Sequence, residues 1–150
     1  VYTKGKLMGD DGREHEVLSF GPVAVLPSYQ GLGIGSKLIK HTLFLSKELG
    51  YKAVFIYGDP DYYCRFGFVQ AETYKVGIAD NMYAVPLQGL ELVSGALDGI
   101  SGRFLEDQIY EIDVEKSKLY DHGFPEKELR DDLMYQKRFQ ELISLRKPRG

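Results

Sequence analysis

Three glycines at alternate positions, Gly31, Gly33 and Gly35, stand within the stretch "VLPSYQGLGIGSKLIK" from Val25 to Lys40. An apolar, strand-like run precedes them and a helical pattern follows. A strand, a glycine-rich turn and a helix N-terminus together make a site for an anion. Unsatisfied backbone N–H groups converge there, the helix dipole favours negative charge, and absent side chains allow close approach. The chemistry implied is capture of a phosphate or pyrophosphate. The plainer alternative is a tight turn in which glycine only supplies unusual backbone angles. Three glycines in one short turn favour the anion.

Spacing narrows the choice of phosphate site. A P-loop needs four residues between its glycines and then Lys-Ser/Thr, whereas Gly33-Ile34-Gly35-Ser36-Lys37 has a different spacing and order. A dinucleotide fold stays as a minor reading, an oxidoreductase, because strand, glycine turn, helix, strand and then Asp59 resemble its fingerprint. Against it, the glycines are GxGxG rather than GxGxxG, and no second set of parallel crossovers follows.

The elements that must position the loop are legible around it. "VLSFGPVAV", Val17 to Val25, reads as a buried strand, with a bulge or locally unpaired backbone at Gly21-Pro22 because proline cannot donate to a ladder. From Ile34 the period becomes helical: Ile34, Leu38, Leu45 and Leu49 fall on one face, and Gly50 ends the helix. "AVFIY", Ala53 to Tyr57, is then a strand parallel to the first, since a helix joins them. "GDPDYYCRFGF" follows as a turn and a short helix capped by Asp61 and ended by Gly67. Met82 to Val93 and Ile100 to Ile112 read as further strands in an antiparallel second half. A helical tail is expected from Pro125 to Leu145. One α+β domain over residues 1–150 accounts for the chain.

Composition excludes several classes. With 43% apolar and 27% charged residues over 150 positions, the chain is globular in composition, and no apolar run approaches the ~20 residues of a membrane span. Nineteen basic against twenty-two acidic residues, a net charge of −3, argue against a nucleic-acid footprint. Cys64 is the sole cysteine, which excludes an internal disulfide and a cysteine metal cluster and points to the cytoplasm. His15, His41 and His122 carry no metal-ligand spacing. No metal is expected.

Two separated motifs in the right order carry a family resemblance. "QGLGIG", Gln30 to Gly35, resembles the Q/R-x-x-G-x-G/A motif of the GCN5-related N-acetyltransferases (GNAT), and "YYCRFGF" is similar to their "LYEKxGF" element. "GPVAVLP" and "GDPDYYCRFGF" look most like the bacterial YhbS-type members. The resemblance is tight from about Val17 to Phe68 and weaker to about Ile112. It implies a mixed, mostly antiparallel sheet flanked by helices, whose central parallel strands splay apart and are joined by a helix.

It also implies acetyl-CoA as co-substrate and direct acetyl transfer to a primary amine of a small molecule or peptide. The rival of a different class is an acyl-CoA-binding sensor without turnover. The amides of Gln30, Gly31, Gly33, Ile34, Gly35 and Ser36 would hold the pyrophosphate, and the backbone of Val23, Ala24 and Val25 would pair with the pantetheine arm. Tyr63, five residues before Phe68, matches the family's acid for the departing thiolate, with Tyr62 as a packing residue. Glu16 stands where some relatives carry the base, and Asp59 is a second candidate. The family usually has two strands and two helices before the glycine motif, so the domain reads as N-terminally truncated. Self-association is then an expected way to cover its sheet.

Overall fold

The computed structural model describes residues 1–126 and 134–150. A seven-stranded sheet forms the centre, in the order β4-β7-β3-β2-β1-β8-β5. Its strands are β1 (Tyr2–Gly9), β2 (Glu14–Phe20), β3 (Ala53–Tyr57), β4 (Val69–Gln70), β5 (Val76–Gly77), β7 (Leu87–Glu91) and β8 (Gly102–Leu105). β6 (Met82–Ala84) and β9 (Arg146–Pro148) make a small second sheet. Helix α1 (Ile34–Glu48) joins β2 to β3, and the short α2 (Pro60–Tyr63) follows β3. α3 (Val114–Asp121) and α4 (Met134–Ser144) lie in the C-terminal region. This is the mixed, mostly antiparallel sheet with one parallel central pair that the resemblance implies.

Both faces of the central strand β3 are buried, so it is apolar throughout rather than alternating. Ala53 to Ile56 of β3 are all buried. Val17, Ala53, Phe55 and Phe104 face one core, while Leu18, Phe20, Val54 and Ile56 face a second core beneath α1. Phe55 and Phe104 stack with ring centroids 5.1 Å apart in the first core. In the second, Tyr2 stacks on Phe20 at 4.7 Å.

α1 meets the sheet on a different face from the one its sequence indicates. Ile39, Leu43 and Ser46 are buried, whereas Ile34, Leu38, Leu45 and Leu49 are exposed, Leu49 by 76%. The helix carries two apolar stripes, and periodicity alone does not say which one the sheet covers. Ser46 is the telling residue: its hydroxyl turns back to donate to the Thr42 carbonyl at 2.8 Å, so a small polar side chain is buried with its hydrogen bond satisfied within the helix.

The C-terminal half departs further from expectation. The strand expected over Ile100 to Ile112 is only Gly102–Leu105, because Asp107 accepts a bond from the Ile109 amide at 2.8 Å and starts a single 3-10 turn. β5 pairs with β8 in parallel, Val76 opposite Gly102, so this half is not wholly antiparallel. α3 precedes the tail and is capped by Asp113, which accepts from the Glu115 and Lys116 amides at 3.1 Å. The tail helix read from Pro125 is found as α4, and residues 127–133 of that reading lie outside the described residues.

Candidate functional site

The site forms where β2 and β3 part. Their parallel ladder consists of Leu18 opposite Val54 and Ser19 opposite Phe55, whereas β3 stays paired with β7 as far as Tyr57. Beyond Phe20 the chain leaves the sheet. Pro22 has no N–H to offer a ladder, and the amides of Val23, Ala24 and Val25 find no backbone acceptor among the described residues. The segment Val23–Val25 thus leaves the sheet with three backbone amides that have no backbone partner among the described residues.

The turn that follows is held by its own residues. Pro27–Tyr29 form one 3-10 turn, the Gln30 amide donates to the Pro27 carbonyl at 3.2 Å, and Gln30 Nε2 donates to the Val25 carbonyl at 2.9 Å. The Gln30 amide is therefore engaged in the turn, and its side chain is the brace. That removes it from the set of free amides expected there. Gly31 and Gly33 have φ of 77° and 74°, in the left-handed region where a side chain is strained. Gly35 is helical, and a Cβ there would lie 3.5 Å from Val25 Cγ2 and 4.0 Å from the Tyr62 hydroxyl. Two glycines set the turn and the third keeps the floor low.

Gly33 is the N-cap of α1, and no side chain caps it. The first main-chain bond into the helix is Lys37 N–H to the Gly33 carbonyl at 3.0 Å. The amides of Gly33, Ile34, Gly35 and Ser36 are accordingly the four orphan donors of the helix start. The first turn holds no acid. Nothing in the sequence of that turn offsets the positive end of the dipole, which leaves it for an anion.

These parts enclose a groove of ≈ 590 Å³. Val23, Ala24, Val25, Gln30, Gly31, Gly33, Ile34, Gly35 and Ser36 all line it, together with Tyr29 and Tyr62. Sequence reasoning passed over Tyr29 and assigned Tyr62 to packing. Tyr62 does pack, edge-on against Tyr63 at 4.9 Å and beside Phe66 at 5.7 Å, and it also borders the groove, with the Arg65 guanidinium 4.5 Å from its ring centroid.

Tyr63 occupies the neighbouring position on the α1 side of the sheet. Its ring lies against Gly58, at the exit of β3, and edge-on to Phe20, at the exit of β2, at 6.2 Å. Phe66 and Phe68 complete its surroundings, with Phe68 at 5.9 Å. Burial pushes its phenol above the ordinary range, and the nearby Tyr62 and Tyr2 phenols add to the shift. It is firmly protonated at neutral pH.

The remaining candidates are not gathered there. Glu16 lies at the start of β2, exposed, with Lys4 Nζ 3.0 Å from its carboxylate. Asp59, rather than Asp61, caps α2: it accepts from the Asp61 amide at 3.0 Å and pairs with Arg138 at 3.2 Å. Burial acts to raise the Asp59 carboxyl, but the bonds from Arg138 and the Asp61 amide prevail and hold it below the usual range. Cys64 is exposed, its thiol 3.5 Å from the Asp61 carbonyl.

Comparison with known proteins agrees with this architecture. Residues 3–70 match the acetyltransferase (GNAT) domain model. YjhQ of Escherichia coli K12, an uncharacterized N-acetyltransferase, is 43% identical over 69 residues, 45% of this chain and 37% of YjhQ. YhbS of the same strain, likewise an uncharacterized N-acetyltransferase, is 32% identical over 91 residues, 61% of this chain and 54% of YhbS. The chain thus spans about a third to a half of the curated relatives it matches. The crystal structure of E. coli YhbS in complex with CoA superimposes with a TM-score of 0.67 at 26% identity, covering 75% of this chain and 61% of that one. A GNAT acetyltransferase from Brucella melitensis, in complex with acetyl-CoA, gives 0.52 at 28% identity, covering 71% and 55%. One β-α-β crossover in an otherwise mostly antiparallel sheet is not a doubly wound dinucleotide fold, and the likeness to GNAT acetyltransferases is carried by residues 3–70, which match that domain model, and by the stretches shared with YhbS and YjhQ.

Proposed function

We propose that this chain is an acetyl-CoA-dependent N-acetyltransferase that moves the acetyl group directly to a primary amine of a small molecule or peptide. The observation that carries the reading is the convergence of four uncapped helix amides, two left-handed glycines and the unpaired amides of Val23 to Val25 on one groove. The residues fit a nucleotide thioester in shape and charge. Orphan amides from Gly33 to Ser36 suit a pyrophosphate, and the open amides of Val23 to Val25 suit an extended amide-bearing arm. The complexes of YhbS with CoA and of the Brucella protein with acetyl-CoA support the same ligand.

The thioester would then enter where β2 and β3 part, beside Tyr63. As the amine attacks the acetyl carbon and the carbon–sulfur bond breaks, the Tyr63 phenol donates its proton to the departing sulfur. A raised phenol pKa keeps that proton in place until a thiolate develops. Direct transfer is the reading that the sole cysteine supports: Cys64 is exposed and its thiol lies 3.5 Å from the Asp61 carbonyl, away from a base that would activate it. Cytoplasmic action goes with that free thiol.

Calorimetric titration with coenzyme A, followed by thiol release from acetyl-CoA across a panel of amines, tests the reading. Binding with amine-dependent release supports it. Binding without release from any amine would identify a sensor instead.

A further inference from the structure

Direct transfer needs a group that takes a proton from the attacking amine, and the sheet face opposite α1 holds an unassigned carboxylate. Side chains alternate along β2: Leu18 and Phe20 pack under α1, so Val17 and Ser19 face the other way. Ser19 is buried, and its hydroxyl donates to Glu106 Oε1 at 3.4 Å. Ser19 is also the last residue of β2 paired with β3. Glu106 therefore reaches the sheet at the point where the two strands separate.

Its surroundings come from three elements. Tyr57 lies two residues beyond Phe55 on the same face of β3, and its phenol is pushed upward by burial and then by the Glu106 and Asp80 carboxylates. Tyr110, after Glu106, rests its phenol on Gly21 and lies 3.4 Å from the Thr3 hydroxyl. Glu106 also borders a cavity of ≈ 650 Å³ shared with Lys4, Lys6, Glu14, His15, Glu16 and Asp107.

The charges around it are already matched. Lys4 pairs with Glu16 and Lys6 with Glu14, each at 3.0 Å, and Arg146 lies 3.5 Å from Asp80. Among the described residues Glu106 pairs with no cation, and its hydrogen-bond partner is the Ser19 hydroxyl. Burial raises its carboxyl above the usual range, with the Ser19 bond opposing. Glu106 is itself exposed to solvent, with one carboxylate oxygen turned to the buried Ser19 hydroxyl; a carboxylate bordering a cavity, with no positive partner of its own among the described residues, suits an incoming ammonium group.

We propose that Glu106 is the acceptor-binding base: it holds the ammonium of the acceptor in this cavity and takes its proton before the nitrogen attacks. This rests on the acetyltransferase reading above. Glu106 removes one proton from the ammonium and passes it to solvent. The neutral nitrogen forms the carbon–nitrogen bond while the carbon–sulfur bond breaks. Sulfur leaves with the Tyr63 proton, and the second proton shed by nitrogen returns Tyr63 to its phenol form. Proton acceptor and proton donor thus stand on opposite faces of the sheet, with the parted strands between them.

The test is Glu106→Gln, assayed by thiol release from acetyl-CoA with spermidine, Nα-acetyl-lysine amide and tyramine between about pH 6 and pH 9. The expected result is a ~10²–10⁴-fold loss in kcat/KM at neutral pH that shrinks as the amine's own neutral fraction grows, with calorimetric coenzyme A affinity unchanged. Glu106→Asp should recover part of the rate, and Ser19→Ala should lower it without abolishing it. The proposal is overturned if Glu106→Gln keeps the wild-type rate and pH profile, if Glu16→Gln or His15→Gln removes the low-pH limb instead, or if the loss is equal at every pH and accompanied by a lower Tm. A wild-type chain that releases no thiol with any amine overturns the acetyltransferase reading itself. Failure at Glu106 alone leaves wild-type release intact.

Discussion

The two parallel strands at the centre of the sheet both lead into a helix, and the two exits are built in opposite ways. β2 leaves through Gly31 and Gly33 into α1, whose start has no side-chain cap and no acid in its first turn. β3 leaves through Asp59 into α2, whose start is capped by Asp59, carries Asp61, and is braced by Arg138 at 3.2 and 2.9 Å. A helix N-terminus attracts negative charge in both places. One exit satisfies that demand with its own carboxylates. The other withholds them and so stays open to an anion from outside. The filled exit serves as a rigid platform, and Tyr63 stands on it.

The largest expected effect comes from removing the proton on that platform. Tyr63→Phe keeps the ring against Gly58 and Phe20 and should lower turnover by ~10²–10⁴-fold where chemistry limits the rate, with coenzyme A binding retained. Steady-state kinetics with an amine whose chemical step limits the rate checks this, and equal turnover would reduce Tyr63 to packing.

Next comes the open exit. Gly33→Val places a β-branched residue at φ 74° beneath the helix start, and coenzyme A affinity should fall by ~10–100-fold while the core stays folded. Calorimetry beside a thermal melt separates the two effects. Ser36→Glu sharpens the comparison by giving α1 the acid that it lacks. Melting temperature should hold or rise slightly, since an acid near a helix start contributes ~0.3–1 kcal/mol. Affinity for coenzyme A should fall about tenfold, because the helix amides then face a charge of their own. An unchanged affinity would place the pyrophosphate elsewhere.

The filled exit gives the converse. Asp59→Ala should cost ~0.5–2 kcal/mol through loss of the cap, read by denaturant unfolding, with coenzyme A affinity within a few-fold of wild type. The Asp59 carboxyl lies below its ordinary value in the folded chain, so its contribution is present above the unfolded carboxylate pKa. It is lost as pH falls through the folded value. The difference between wild type and Asp59→Ala should therefore shrink in acid.

The smallest effect is expected on the exposed stripe of α1: Leu38→Gln should change stability by less than about 0.5 kcal/mol, whereas Ile39→Ala, one residue on, should cost ~2–5 kcal/mol. Thermal melts of the pair decide which stripe the sheet covers.

How much of this was legible in the sequence varies with the range of the interaction. The glycine turn, the break at Gly21-Pro22, the stop at Gly50 and the crossover from β2 through α1 to β3 depend on backbone angles and hydrogen-bond capacity within a few residues, and those properties belong to the residues themselves. Every position named for the cofactor lines the same groove for that reason. Which stripe of α1 is buried, that Tyr62 rather than Tyr63 flanks the groove, and that Asp59 is tied to Arg138 were decided by contacts between residues far apart in sequence. Glu106 is the clearest case. It lies 87 residues from Ser19, and no spacing or periodicity announces it. Local stereochemistry wrote the loop into the sequence, whereas the meeting of Glu106 with the end of β2 arises only when β8 joins the sheet beside β1 and carries the following segment across to the parted strands.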